Sequence, residues 1–323
     1  MNTQQNNSKL TQLPVVMFLA GICCFLWGSV TPAIKTGYQL FQIQSSDAMS
    51  IILFAGMRFV LAGFLVILFH SIQERHWIMP EPGSGKAIVS LCLNQTVLQY
   101  YFFYTGLAHA SGVHGAIITG GNVFISILVA SLIFRYEKLT ARKMIGCAFG
   151  FAGIVIMNLS GQKGNMFEVS LLGEGFVLFA QVFYATSSAL LKKYGNKHDV
   201  VTLSGYQFML GGLILMIIGL AGGGRVQVSG NYLAYILLLY MAFISAVAYT
   251  LWGVLLKYNP VSRVTVFGFM IPVFGVLLSA VFLGESSQAL SWNVMAALIL
   301  VSLGIFVVNT SEKPEKKDGT EGK

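Results

Sequence analysis

Ten apolar runs dominate the chain, each about 20 residues long and so of bilayer-spanning length. Lipid offers backbone N–H and C=O groups no partners, so each run must satisfy its own as a helix. The runs lie at 14–35, 50–70, 87–108, 113–134, 142–160, 171–191, 200–221, 232–256, 263–284 and 291–309. Composition agrees, with 55% hydrophobic and 10% charged residues, against roughly 45–50% and 25% in soluble domains. The net charge of +8 does not point to nucleic acid, because the basic residues sit in short loops rather than on one face. The predicted fold class is an all-α polytopic membrane protein.

The loops orient the bundle. With both termini on one side, sixteen of the twenty Lys and Arg residues fall there, and Lys35, Lys163 and Arg225 fall on the other. That asymmetry places both termini in the cytoplasm, and an odd number of spans would destroy it. No small-residue cleavage signal follows the first run, which therefore reads as an uncleaved span of a cytoplasmic-membrane protein. The four cysteines lie inside runs and read as small hydrophobes, with no metal spacing.

Arg58 is the remaining basic residue and the single charge well inside any run. Its neighbourhood recurs at an offset of 149: Gly56, Phe59, Leu61 and Gly63 return as Gly205, Phe208, Leu210 and Gly212, with Gln207 in the place of Arg58. Spans 1 and 6 match at 158 through Phe25, Ser29, Lys35 and Gly37. Spans 4 and 9 match at 150 through Val123, Phe124, Leu128 and Ala130, and spans 5 and 10 at 151 through Gly153, Ile154 and Asn158. Spans 3 and 8 match weakly at 148, through Tyr101 and Val113. The shared order points to duplication. Five spans per copy is an odd number, so the copies enter the membrane in opposite senses, which is the inverted-repeat plan of secondary transporters. The predicted organisation is an N-terminus (1–13), a first five-helix repeat (14–160), a linker (161–170), a second repeat (171–309) and a charged tail (310–323), its Lys/Glu/Gly content predicting disorder.

Phe25-Leu26-Trp27-Gly28-Ser29, Met57-Arg58-Phe59, Tyr104-Thr105-Gly106-Leu107 through Gly115-Ala116, and Pro272-Val273-Phe274 through Leu283-Gly284-Glu285 resemble the drug/metabolite transporter superfamily, in its ten-span branch with two EamA-type domains. The resemblance covers roughly residues 15–310. It implies a carrier of amino acids, other small metabolites or drugs, commonly outward, with a cavity surrounded by the first four helices of each repeat. Two positions depart from the pattern. Asn122 stands where the family often has Pro, which puts a break in span 4 in doubt, and Arg135-Tyr136-Glu137 replaces a Gly-Glu.

Candidate site residues follow from depth. Arg58 lies roughly 12 Å below one membrane edge and Gln207 roughly 10 Å above the other, at 1.5 Å per residue, near the midplane where inverted-repeat carriers bind. Arg58 either anchors a substrate anion or ties helices together. Asn94, Gln95, Gln99, Tyr100, Tyr101 and Tyr104 make span 3 unusually polar, and Trp27, Asn122, Tyr184, Tyr249 and Trp252 complete the candidate substrate-binding set. Pro32 and Pro272 each remove a backbone donor within a run and are candidate hinges. Gly146 and Gly150 form a small-residue pair on span 5, either a homodimer contact or packing within one chain. His109 and His114 have no carboxylate or Cys near them in sequence and read as loop residues rather than metal ligands. Gly83-Ser84-Gly85-Lys86-Ala87 lacks the first Gly and the Ser/Thr of a phosphate-binding loop, so no cofactor is expected.

The sequence reading is a secondary transporter of a small organic metabolite in the lipid bilayer, exporting by alternating access, with uptake of a small anionic metabolite as the alternative. An intramembrane enzyme would need a nucleophile with a base, or metal ligands, at one depth, and the runs supply neither. A non-transporting scaffold needs no polar midplane.

Overall fold

The computed structural model of the protein describes residues 10–136, 138–157, 170–227, 231–259, 264 and 266–309, apart from the side chains at 249, 250, 253, 256, 257 and 266. The predicted N-terminus up to residue 9, the linker up to residue 169, the tail and the Tyr249 side chain therefore lie outside the described residues. Every described element is helical. In chain order these are α1 (Leu13–Gly28), α2 (Val30–Leu40), α3 (Ala48–Glu74), α4 (Gly85–Leu91), α5 (Tyr100–His109), α6 (Gly112–Gly120), α7 (Asn122–Leu128), α8 (Ala141–Met157), α9 (Phe176–Gly195), α10 (Val200–Ala221), α11 (Leu233–Tyr258), α12 (Met270–Phe282), α13 (Ser286–Ala289) and α14 (Trp292–Asn309). Three π-helical stretches, Cys92–Gln99, Val129–Ile133 and Leu171–Gly175, and a 3-10 turn, Val266–Phe269, interrupt or lead into them.

Six rods among the described residues are long and apolar enough to cross a membrane: Leu13–Leu40, Ala48–Glu74, Gly112–Ile133, Leu171–Gly195, Val200–Ala221 and Trp292–Asn309. Leu233–Ala248 and Phe267–Phe282 are shorter apolar helices. Caps set where several rods begin. Asp47 accepts from the Ser50 backbone N–H (3.0 Å) and hydroxyl (2.6 Å) at the head of α3, Ser111 from His114 N at α6, and Asp199 from Thr202 N at α10. Each oxygen satisfies a donor that the first helical turn leaves free.

The most extensive helix contact is α3 against α10, followed by α8 against α14. Glycine brings the first pair together. A Cβ on Gly56 would stand 2.8 Å from the Gly212 carbonyl oxygen, and one on Gly63 would stand 2.6 Å from that of Gly205. The two backbones touch, which only glycine allows and which in lipid gives dispersion its closest approach. The second pair repeats the device: a Cβ on Gly304 would meet the Gly146 carbonyl at 2.6 Å, and one on Gly153 the Ala297 carbonyl at 2.9 Å. Gly146 and Gly150 are thus used inside the chain, against Gly304 and Val308 and against the Phe124 ring, which leaves the proposed small-residue dimer face covered.

Two breaks fall in the turn that precedes a proline, where the ring crowds the carbonyl four residues back. Ser29 separates α1 from α2, and Pro32 is the third residue of α2; Pro272 is likewise the third residue of α12, after the 3-10 turn. In a first turn the missing N–H removes no intrahelical bond. Span 4 does break, at Gly121 between α6 and α7, although Asn122 is not proline. Gly121 N–H reaches the carbonyls of Ile117 (3.2 Å) and Ile118 (3.0 Å), closing the first segment.

Candidate functional site

A cavity of about 550 Å³ lies between the helices, within the usual range for small-molecule sites. Trp27, Arg58, Gln99, Asn122, Tyr184 and Trp252, all expected from the sequence, line it. Asn94, Tyr101 and Gln207 do not. Asn94 donates to its own helix at Ser90 O (3.1 Å), and Tyr101 packs edge-on against Phe102. Gln207 is buried in the contact with span 3, donating to Gln95 Oε1 (3.1 Å) and accepting from the Thr96 hydroxyl (2.8 Å). The equivalence of Arg58 and Gln207 in the repeat therefore does not carry over to a shared cavity wall. What the two stretches share is the glycine crossing of α3 and α10.

Arg58 ties helices together, one of the two roles the sequence left open, and it also stands in the cavity wall where the other would be exercised. It is 3% exposed and lines the cavity. Its Nη1 donates to the Tyr104 hydroxyl (2.7 Å), its Nε to the Met241 carbonyl (3.3 Å) and its Nη2 to the Ser245 hydroxyl (3.4 Å), joining α3, α5 and α11. The Phe59 ring lies 5.0 Å from the guanidinium, a cation–π distance. Tyr104 is in turn fixed, its carbonyl accepting from Tyr38 Oη at 2.7 Å. These partners leave the charge desolvated yet bonded, the condition for keeping a guanidinium among apolar helices.

From Arg58 the cavity runs to the end of the bundle where Tyr136, Lys143, Lys192 and Asn309 line it, with Tyr136 and Lys192 exposed. Lys192 lies over the Tyr136 ring at 5.3 Å. The charged lining residues are Arg58, Lys143 and Lys192, and no Asp or Glu is among the described lining. The walls are thus cationic, with Trp27 and Trp252 in edge contact (5.0 Å) supplying apolar surface. Lys143 and Lys192 were legible only as loop charges. Both stand at the mouth of the cavity, Lys143 from the first turn of α8 and Lys192 from the last turns of α9.

The opposite end is fastened by groups that sequence reasoning did not connect. Glu285 accepts from the backbone N–H groups of Gly112 (3.0 Å) and Val113 (2.8 Å) at the start of α6, the end of a helix that favours an anion. His114 Nδ1 lies 3.0 Å from Glu174 Oε1, and Glu174 Oε2 accepts from Ser170 N at 3.2 Å. Lys35 donates to the carbonyls of Leu107 (3.5 Å) and Ala110. None of Lys35, His114, Glu174 and Glu285 lines the cavity. Their separation in sequence gave no signal of pairing.

The model of the EamA-like transporter family matches residues 15–159 and 171–310. The chain belongs to that family. Among EamA-like relatives, an uncharacterized transporter of Bacillus subtilis (strain 168), YvbV, is 26% identical over 269 residues, covering 82% of this chain and 84% of its own. A protein of Salmonella typhimurium (strain LT2) named a probable amino-acid metabolite efflux pump is 22% identical over 301 residues, covering 90% and 93%. A solved crystal structure, 16% identical, covers 93% of this chain and 96% of its own with a TM-score of 0.58, so the fold is shared. Membership makes the protein a membrane-embedded transporter and not an enzyme.

Proposed function

We propose that the protein is a ten-span secondary transporter that exports a small amphipathic organic metabolite, an amino acid or a similar compound, by alternating access across the cytoplasmic membrane. Both termini lie on the cytoplasmic side in this reading. The observation that carries it is the cationic cavity, which reaches Arg58 from one end of the bundle while the other end is fastened shut. A site accessible from one side at a time is what alternating access requires.

Helix pairing supports two inverted repeats. Gly56 faces Gly212 and Gly63 faces Gly205; exchanging equivalent residues turns one contact into the other. Gly146 with Gly304 and Gly153 with Ala297 are related in the same way. Larger contacts come in matching pairs too: α1 on α12 with α9 on α7, and α11 on α1 with α9 on α5. Helix also occupies each of the ten expected intervals. The name of the Salmonella relative supports amino-acid compounds and the outward direction, as does the sixteen-to-three charge asymmetry for orientation.

Flux in proteoliposomes across a metabolite panel tests the reading, with Arg58→Ala beside wild type. The expected result is saturable movement of at least one amphipathic acid by wild type and a loss of at least about ten-fold in the variant, the order set by removing a hydrogen-bonded charge. Failure of folded wild-type protein to move any compound above empty liposomes refutes it.

A further inference from the structure

Gln99 is 6% exposed, lines the cavity, and its Oε1 has no hydrogen-bond partner among the described residues. A buried amide oxygen left without a partner costs free energy comparable to the bond it lacks. Gln99 closes the π-helical stretch Cys92–Gln99, and such stretches are frequent at functional sites. Within it, Gln95 and Gln99 are four apart, a spacing that would stack them on one α-helical face. They serve different partners instead: Gln95 and Thr96 bond Gln207 in α10, while Gln99 turns to the cavity. The Gln95–Gln207 bond thereby fixes the stretch and pre-sets Gln99. Arg58, which lines the same cavity, offers donors only, as does each lysine of the lining.

We propose that Gln99 is the specificity-determining acceptor of the cavity, selecting small carboxylates that carry a hydrogen-bond donor, a hydroxyl or an ammonium, beside the carboxyl group. Arg58 takes the carboxylate and Gln99 Oε1 the donor. Amines without a carboxylate are excluded, because the described lining holds three cations and no acid. The proposal rests on the transport reading above and deepens it.

Four aromatic probes of one shape separate the contributions: L-phenylalanine, 3-phenyllactate, 3-phenylpropionate and phenethylamine. Each is assayed on the full chain in proteoliposomes for initial flux and in detergent for protection against thermal unfolding. Wild type should favour phenylalanine and phenyllactate over phenylpropionate by about ten-fold or more, as expected when a buried acceptor goes unpaired, and should not move phenethylamine. Gln99→Met, close in shape and without the oxygen, should bring that ratio near one while phenylpropionate flux is kept. A wild-type ratio near one means that Gln99 is met by water and overturns the proposal, whether or not the variant folds. An unchanged ratio in folded Gln99→Met overturns it too. If none of the four moves but other metabolites do, the proposal fails and the carrier reading stands; if nothing moves, both fail.

Discussion

Gly63→Ala should weaken the protein even though alanine is the better helix former. The added Cβ would stand 2.5 Å from Met209 N, 2.6 Å from the Gly205 carbonyl oxygen and 2.9 Å from Met209 Cα. All three are backbone atoms of α10, so no side-chain rotation relieves the contact. Ordinary van der Waals contact begins near 3.4 Å, which requires α3 and α10 to part by about 0.9 Å at the crossing. A gap of about 0.5–1 Å forfeits a quarter to a half of each dispersion contact along it, and overpacking a tight contact costs about 1–3 kcal/mol. The gain in helix propensity offsets about 1 kcal/mol. Gly21→Ala is the matched control: it is helical and nothing lies within 4 Å of its Cβ position, so it should gain about 1 kcal/mol. The two variants should therefore differ by about 1–3 kcal/mol, the overpacking term that remains once the shared propensity gain cancels. Thermal unfolding in detergent, followed by tryptophan fluorescence, reads the difference. Gly212→Ala added to Gly63→Ala should cost less than it does alone, since its Cβ clash with Val60 N at 2.5 Å is eased by the same separation. Equal melting temperatures for Gly63→Ala and Gly21→Ala would refute the backbone contact.

Gln207→Leu should cost about 1 kcal/mol of stability by removing the amide that Thr96 and Gln95 bond; because that amide pre-sets Gln99, protection by phenylalanine should fall while protection by 3-phenylpropionate, which rests on Arg58, is kept, and a thermal-shift assay with the two ligands reads both effects. Asp47→Ala should destabilise by about 1 kcal/mol at neutral pH, the usual worth of an N-cap. The Ser50 hydroxyl, and then its backbone N–H, hold the Asp47 carboxyl below its ordinary range, so its contribution is complete above about pH 3.9 and disappears as pH falls through the lower folded value. Wild type and variant should converge below that point in a pH series of melting curves.

The sequence was most legible where lipid leaves one solution. Run length placed the helices to within a few residues, and Arg58 announced itself by cost. Trp27, Gln99, Asn122, Tyr184 and Trp252 followed as polar or aromatic groups at depth. What failed to show was what depends on angle rather than depth. Gln207 sits at the right level but faces span 3, because the repeated feature was a glycine seam and Gln207 only its neighbour. A π-helical stretch has no compositional mark, so the division of work between Gln95 and Gln99 was invisible. His114 and Glu174 lie 60 residues apart, and nothing local pairs them.

The short corner from Leu107 to His114 is held from three directions: by Lys35 of α2 on its carbonyls, by Glu285 on its N–H groups, and by Glu174 on His114. Gly112 leaves room for this, its missing Cβ standing 3.2 Å from Glu285 Oε2. A hub with three separate tethers does not loosen in proportion to load. Losing one leaves the corner pinned by the other two, and once a second goes the third holds little. In the alternating-access cycle proposed above, that end of the bundle should therefore switch between two discrete states rather than breathe, with an opening as steep as a latch.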